Sequence, residues 1–367
     1  MLDGLIVNEG VLVPISGRES AEACPNTNDG PYAAEFGVIT FGELSTTGSA
    51  YGSRLPRIVD LAKKAELKQL DFFGIGEHHR ADFAVSAPEI VLAAISALTK
   101  SIRLTSAVTV LSADDPIRVI ERFGLLDELS GGRAEIMIGR GAYRETFELF
   151  GIAPEESSRE FVDRAERLLG IRSTAHVLPP DDHRRLVTPK PRSDLPIWVG
   201  AGGAGTSVLL AAQWGLPLML VGRTGAVDPI EHALAEYSRE SKSHGRRPGR
   251  AGVSLQGYVA ETDAEAREQF WFHYSSTLAA LSRDRGWAGA VDREAYEREL
   301  DDGLLLVGSP ATVARKLHVL THDLGLSRVA IKCGLPTTTR EEDEKTVELY
   351  AAAVRELRIG SGQTSTH

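Results

Sequence analysis

The chain has 367 residues, 42% of them hydrophobic and 25% charged, which places it among soluble globular proteins with ample apolar surface for a core. A formal net charge of -10 argues against a nucleic-acid binder, because phosphate backbones demand clustered Lys and Arg, and serves solubility instead. Its two cysteines, Cys24 and Cys333, give no framework of bridges and no paired metal-ligand spacing, and no run of about eighteen apolar residues is present to span a membrane. Residues 1–4 lack the basic start and long apolar core of a secretory signal, so a cytoplasmic location is expected.

In chain order, residues 1–35 carry weak pattern and a Gly/Pro/Asn-rich passage at 24–31, and are expected to form a poorly ordered amino-terminal extension. Two brief apolar stretches at 5–7 and 11–13 offer a small capping hairpin as the alternative. From Phe36 onward, short apolar runs alternate with helical patterns. A helix over 55–67 repeats Ile58, Leu61, Ala62 and Ala65 at helical spacing. A second is capped at Ser86 with Pro88 in its first turn, and places Ile90, Val91, Ala94, Ile95 and Leu98 on one apolar face. A third starts at Asp114 or Asp115 before Pro116 and stops at Gly131-Gly132.

Further helices are expected over 159–169, up to Trp214, over 227–244 and 264–283, and from 310 through Leu320. The Pro/Asp-rich passage at 178–183 reads as a solvated connection, or as a lid. A closing helix turns Val347, Tyr350, Val354 and Leu357 inward, and residues 359–367 form a flexible tail. Eight strands start near Phe36, Phe72, Ile102, Ala134, Ile197, Leu216, Val253 and Val329. Parallel neighbours need a crossover that returns the chain to the same end, so the alternation predicts a (β/α)8 TIM barrel with insertions over 36–358. Its active site is then expected on the carboxyl-terminal rim.

Three clusters on that rim carry chemistry. In Glu77-His78-His79, strand alternation separates His78 from Glu77 and His79. His78 suits a general acid or base, while His79 reads equally as a core histidine fixed by Glu77. Three adjacent residues cannot converge on one ion, so no metal is expected. Arg140, between Gly139 and Gly141, suits a phosphate, with a salt bridge to a loop acid as the structural alternative. The turn Gly202-Gly203-Ala204-Gly205-Thr206-Ser207 offers backbone amides, two hydroxyls and a helix start, which favour an anion. A glycosidase would need two opposed carboxylates, for which Glu77 and Asp114 are the candidates, but that leaves Arg140 and the glycine turn unexplained.

The runs GEHHR, SAVTVLSADDP, LLDELSGGRAEIMIGRG, LFG, LPIWVGAGG and GSPATV resemble the bacterial luciferase-like monooxygenase family in order and spacing from Phe36 to Leu357. The resemblance implies a flavin-binding barrel, usually a homodimer or paired with a homologue. It implies that reduced FMN is supplied by a separate flavin reductase, and that molecular oxygen is activated as a flavin hydroperoxide to oxygenate a small organic substrate. It carries catalysis to His78, support to His79, and flavin-phosphate contacts to Arg140 and to the turn at Gly203, Gly205, Thr206 and Ser207. The glycine-rich turn here differs in length by about a residue from the luciferase form. Ala107-Val108 falls where the family has a non-proline cis peptide beneath the flavin ring. A deazaflavin-dependent dehydrogenase or reductase, and a non-catalytic flavin-binding partner subunit, are the alternatives.

Overall fold

Short buried runs of β-branched, aromatic and aliphatic residues form the strands, and amphipathic segments form the crossovers. In the computed structural model of the protein, the described residues are 34–44, 51–174, 187–189, 191, 194–221, 226–285 and 292–363. The order is β1 (Glu35–Thr40), α1 (Tyr51–Leu67), β2 (Phe72–Ile75), α2 (Pro88–Leu98), β3 (Arg103–Ser106), β4 (Thr109–Val110), α3 (Pro116–Ser130) and β5 (Ala134–Gly139). Next come α4 (Arg144–Leu149), α5 (Ser157–Thr174), β6 (Ile197–Ala201), α6 (Thr206–Trp214), β7 (Leu218–Val221), α7 (Val227–Ser243) and β8 (Ala251–Val259). The chain continues through α8 (Asp263–Arg285), α9 (Arg293–Asp302), β9 (Leu306–Gly308), α10 (Pro310–His318), β10 (Arg328–Lys332) and α11 (Arg340–Gln363).

Strands β1, β2, β3, β5, β6, β7, β8 and β10 pair in parallel in that order, and β10 closes on β1. This is the expected (β/α)8 TIM barrel. Each of the eight strands begins within two residues of its expected start. The apolar run from Ile102 to Leu111 is not one strand, however, because a cis peptide at Ala107-Val108 divides β3 from β4. The main insertion lies between β8 and β10, where α8, α9 and β9 pack around a separate aromatic cluster of Phe270, Tyr274 and Tyr296.

Local signals act as the residue types dictate, with two corrections. Asp115 caps α3 by accepting from the amides of Ile117 (2.9 Å) and Arg118 (3.2 Å), and Gly131 ends it with φ of 75°. The cap of α2 is Ala87, without a side-chain bond, so Ser86 does not serve; Pro88 in the first position fixes the start. The apolar face expected on α2 divides. Ile95 is fully buried, whereas Ile90 is 69% and Leu98 57% exposed. Val347, Tyr350 and Val354 do face inward from α11, and that helix extends to Gln363, past the expected start of the tail. The amino-terminal extension, apart from residues 34 and 35, and the passage at 178–183 lie outside the described residues.

The amino-terminal end of the barrel is closed by charge. Arg328 is fully buried and binds Glu135 through two parallel bonds of 2.7 and 3.0 Å, with a third of 2.7 Å to Glu35. Its guanidinium lies 4.2 Å from the Trp198 ring centroid and 4.4 Å from that of Phe72. Arg103 pairs with both carboxylates and Arg250 with Glu35. Burial alone would raise the Glu35 carboxyl, but Arg328, Arg103 and Arg250 hold it at about 2. Because that lies below the ordinary 4.5, Glu35's contribution to stability is complete above 4.5 and is lost as pH falls towards 2. Arg328→Met is expected to cost about 3–5 kcal/mol at neutral pH, since it strands buried carboxylates. Urea unfolding reads this directly; a loss below about 1 kcal/mol would show that the cluster contributes packing alone.

Candidate active site

Parallel pairing sets the carboxyl ends of β2, β5 and β6 on one rim, so the three polar clusters share it. Glu77, which follows β2, is buried and fully engaged. One oxygen lies 2.8 Å from His79 Nε2, and the other accepts from the Val110 amide at 3.0 Å, just beyond the cis peptide. His79 is thus held in place by Glu77, with its ring 4.8 Å from that of Phe150. Asp114 pairs with Arg122, which with the engagement of Glu77 removes the basis for a glycosidase pair.

His78 points elsewhere. Its ring stacks on Phe83 at 3.9 Å, with Phe41 at 5.2 Å and Tyr143 at 5.4 Å. Its Nδ1 is buried and has no hydrogen-bond partner among the described residues. Burial first, then the charges of Lys332, His79 and Arg80, push its pKa down to about 3. The imidazole is therefore neutral throughout the physiological range.

Between the clusters lies a floor of small residues. A Cβ on Gly139 would meet Val108 at 2.6 Å, and one on Gly200 would meet the same side chain at 2.4 Å. Val108 therefore rests directly on the backbones of β5 and β6, which only glycine permits. A Cβ on Gly76 would meet Phe41 and His78. The cis peptide is thus the physical bridge between the histidine side and the arginine side of the rim.

On the arginine side, Arg140, Gly202, Gly203, Gly205, Thr206 and Ser207 line one open cavity of about 340 Å³, joined by Ser158 and Phe161 from α5. Arg140 is exposed and donates to Ser157 Oγ at 3.0 Å, and it makes no ion pair among the described residues. The salt-bridge alternative therefore finds no carboxylate among the described residues. Gly203 and Gly205 have φ of 144° and 123°, and no atom would lie within 4 Å of a Cβ at either. The amino ends of α5 and α6 both supply residues to this cavity, and helix amino ends favour anions.

Sequence reasoning missed several of these groups. Helix α5 starts two residues before its expected position, which brings Ser157 and Ser158 to the site. Glu236 on α7 accepts from the Gly205 amide at 2.8 Å and so fixes the turn from below. No local signal marks Glu236, which is 31 positions away. The three metal-capable groups that lie close together among the described residues, His318, His322 and Asp323, are exposed and precede β10, at the far end from the rim.

The sequence model of the luciferase-like monooxygenases matches residues 34–328. The chain belongs to that family. It is 28% identical, over 88% of its length and 93% of the relative's, to a 4-hydroxyprotoasukamycin monooxygenase from Streptomyces nodosus subsp. asukaensis. The oxygenating constituent of 3,6-diketocamphane monooxygenase from Pseudomonas putida, solved in complex with FMN, has the same fold: TM-score 0.73, 20% identity, 87% of this chain and 97% of that one. So does the coenzyme F420-dependent tetrahydromethanopterin reductase of Methanopyrus kandleri, with TM-score 0.64, 18% identity, and 87% and 97% covered. No helix among the described residues is long and apolar enough to cross a membrane. The site's electrostatics make one direct expectation: His78 nitrogen shifts should stay those of neutral imidazole from pH 8 down to about 4. A titration midpoint near 6.5 in ¹⁵N spectra would show that its ring is solvated instead.

Proposed function

We propose that this luciferase-like monooxygenase works with reduced FMN delivered by a separate flavin reductase, and inserts oxygen from molecular oxygen into a small organic substrate. The observation that carries the reading is Arg140, a cation with no carboxylate partner among the described residues, facing a glycine turn between two helix amino ends. Arg140, the amides of Gly202, Gly203 and Gly205, and the hydroxyls of Thr206 and Ser207 would hold the phosphate. Glu236 already occupies the Gly205 amide, so that group would turn outward or be shared with the incoming anion.

Ala107 and Val108 would support the ring system on the small-residue floor. Reduced flavin, when bound, supplies the two electrons with which oxygen is activated. His78 stands beside that floor as a neutral imidazole, and its free Nδ1 is the atom where a proton would be exchanged with flavin or substrate. A group that protonates only near 3 serves as a neutral relay rather than as a cationic acid. Phe41, Phe83 and Tyr143 wall the imidazole and keep water from it.

Arg140→Ala is expected to weaken FMN binding by about 10- to 100-fold while leaving riboflavin, which has no phosphate, unaffected. Fluorescence titration distinguishes the two, and equal losses would place the arginine on the ring instead. His78→Ala should keep FMN binding and impair turnover; unchanged turnover would remove its catalytic role. Anaerobic titration with reduced FMN and with reduced deazaflavin decides the cofactor, because preference for deazaflavin would replace oxygenation by hydride transfer.

The protein is also proposed to act as a homodimer. Ile90 and Leu98 on α2 and Leu125 and Leu129 on α3 are all more than half exposed, on helices that pack side by side. The double substitution Leu98→Glu with Leu129→Glu is expected to convert a dimer to a monomer in light-scattering chromatography. A monomeric wild type would overturn the proposal.

A further inference from the structure

Across the rim from the anion cavity, the barrel holds a second polar group that the flavin reading does not use. Lys332 ends β10, and its Nζ lies 2.6 Å from Glu43 Oε1 and 4.2 Å from the centroid of Phe41, the ring that also borders His78. Gln256 on β8 is the registered partner of Lys332. The register continues down to Gly252 and Arg328, where a Cβ built on Gly252 would meet that of Arg328 at 2.8 Å, and the Arg328 side chain lies inside the barrel over Phe72 and Trp198. Strand alternation therefore turns Lys332 and Gln256 to the same interior face. Lys332, Glu43 and Gln256 are 9%, 8% and 7% exposed.

The group is incomplete. Glu43 Oε2 and Gln256 Oε1 are buried without hydrogen-bond partners among the described residues. An ammonium carries three donors, and Lys332 uses one of them on Glu43. Buried polar atoms left unpaired are costly, so such a set is completed by something that enters it. The ion pair neutralises itself, which disfavours a charged occupant. The unused Lys332 donors and the free Glu43 oxygen belong to one close pair, so one atom that both accepts and donates can serve the two together, with Gln256 on the same interior face. A hydroxyl does both. A carbonyl or ether oxygen accepts only, and a hydrocarbon does neither.

We infer that Glu43, Lys332 and Gln256 recognise a hydroxyl group on the organic substrate, so that the enzyme takes alcohols, enols or phenols in preference to hydrocarbons, ethers and ketones of the same shape. This rests on the monooxygenase reading for its substrate but not for its chemistry, since the three residues recognise the hydroxyl whether or not flavin is present.

The test compares binding of naphthol with that of its methyl ether to the full-length chain without flavin, by calorimetry or ligand-observed NMR. Wild type is expected to favour naphthol by about tenfold, the value of one hydrogen bond to a charged group. Lys332→Met should abolish the preference. Because that change strands a buried carboxylate, Gln256→Leu, which keeps the ion pair, serves as the second variant and should reduce the preference to about threefold. Equal binding of the two compounds by wild type, or a preference that survives both substitutions, overturns the inference. FMN titration of the same three proteins reads the flavin assignment separately. Hydroxyl preference without FMN binding upholds the hydroxyl inference and refutes the flavin reading; FMN binding without hydroxyl preference refutes the hydroxyl inference alone.

Discussion

A buried guanidinium holds the two ends of the barrel's sequence together. Arg328 opens β10, Glu35 opens β1 and Glu135 lies in β5, so one side chain joins the strands at the closure of the sheet to a strand on its opposite wall. Its planar fork satisfies two oxygens of Glu135 and one of Glu35, while its faces lie over Phe72 and Trp198. A lysine would supply the charge but neither the fork nor the stacking. Buried ion pairs do not stabilise as well as packed apolar groups of the same shape. What this one supplies is register, because a shifted strand would leave two carboxylates and an arginine unpaired in the interior.

Fixing register at the bottom allows the top to be small and irregular. Above the charged layer the interior is filled by Ile39, Phe72, Met137, Trp198, Met219 and Ala330. At the rim the side chains shrink to Gly76, Ala107, Gly139 and Gly200, and the floor becomes flat. Glu77 ties the two sides of that floor together, since one oxygen positions His79 and the other the amide of Val110. Loss of Glu77 would therefore disturb the histidine pair and the cis-peptide segment together.

The eight barrel strands were legible because buried parallel strands read as continuous apolar runs bounded by Gly, Pro and Asp. Arg140 and the glycine turn were legible for the same reason, since each follows such a run directly. The apolar stripe of α2 misled, because a helix face that lies open at the surface has the same 3.6-residue period as one that meets its own core. The cis bond at Ala107-Val108 came from the family resemblance; nothing in the two residue types announces it. Lys332 with Glu43, 289 positions apart, and Glu236 with Gly205 are matched only by the closed barrel. A strand-end lysine read alone is an ordinary solvated charge.

The placement of the two polar sites constrains what lies between them. In the closed order of strands, β5 and β6 carry the anion cavity, while β8, β10 and the segment after β1 carry the lysine pair, so the two face each other across the rim. The proposed flavin, anchored by its phosphate at Arg140, would cross the small-residue floor and present its reactive end near His78 and Phe41. That end then meets the polar pair from the side. A molecule held there by a polar group would be oriented with its remaining carbon framework towards the floor, whereas a purely apolar molecule would leave Glu43 Oε2 and Gln256 Oε1 unpaired. On the proposed reading, anchoring, support and substrate orientation would fall to different strands, and substitutions in one arc of the rim would alter substrate choice while the anion cavity keeps its geometry.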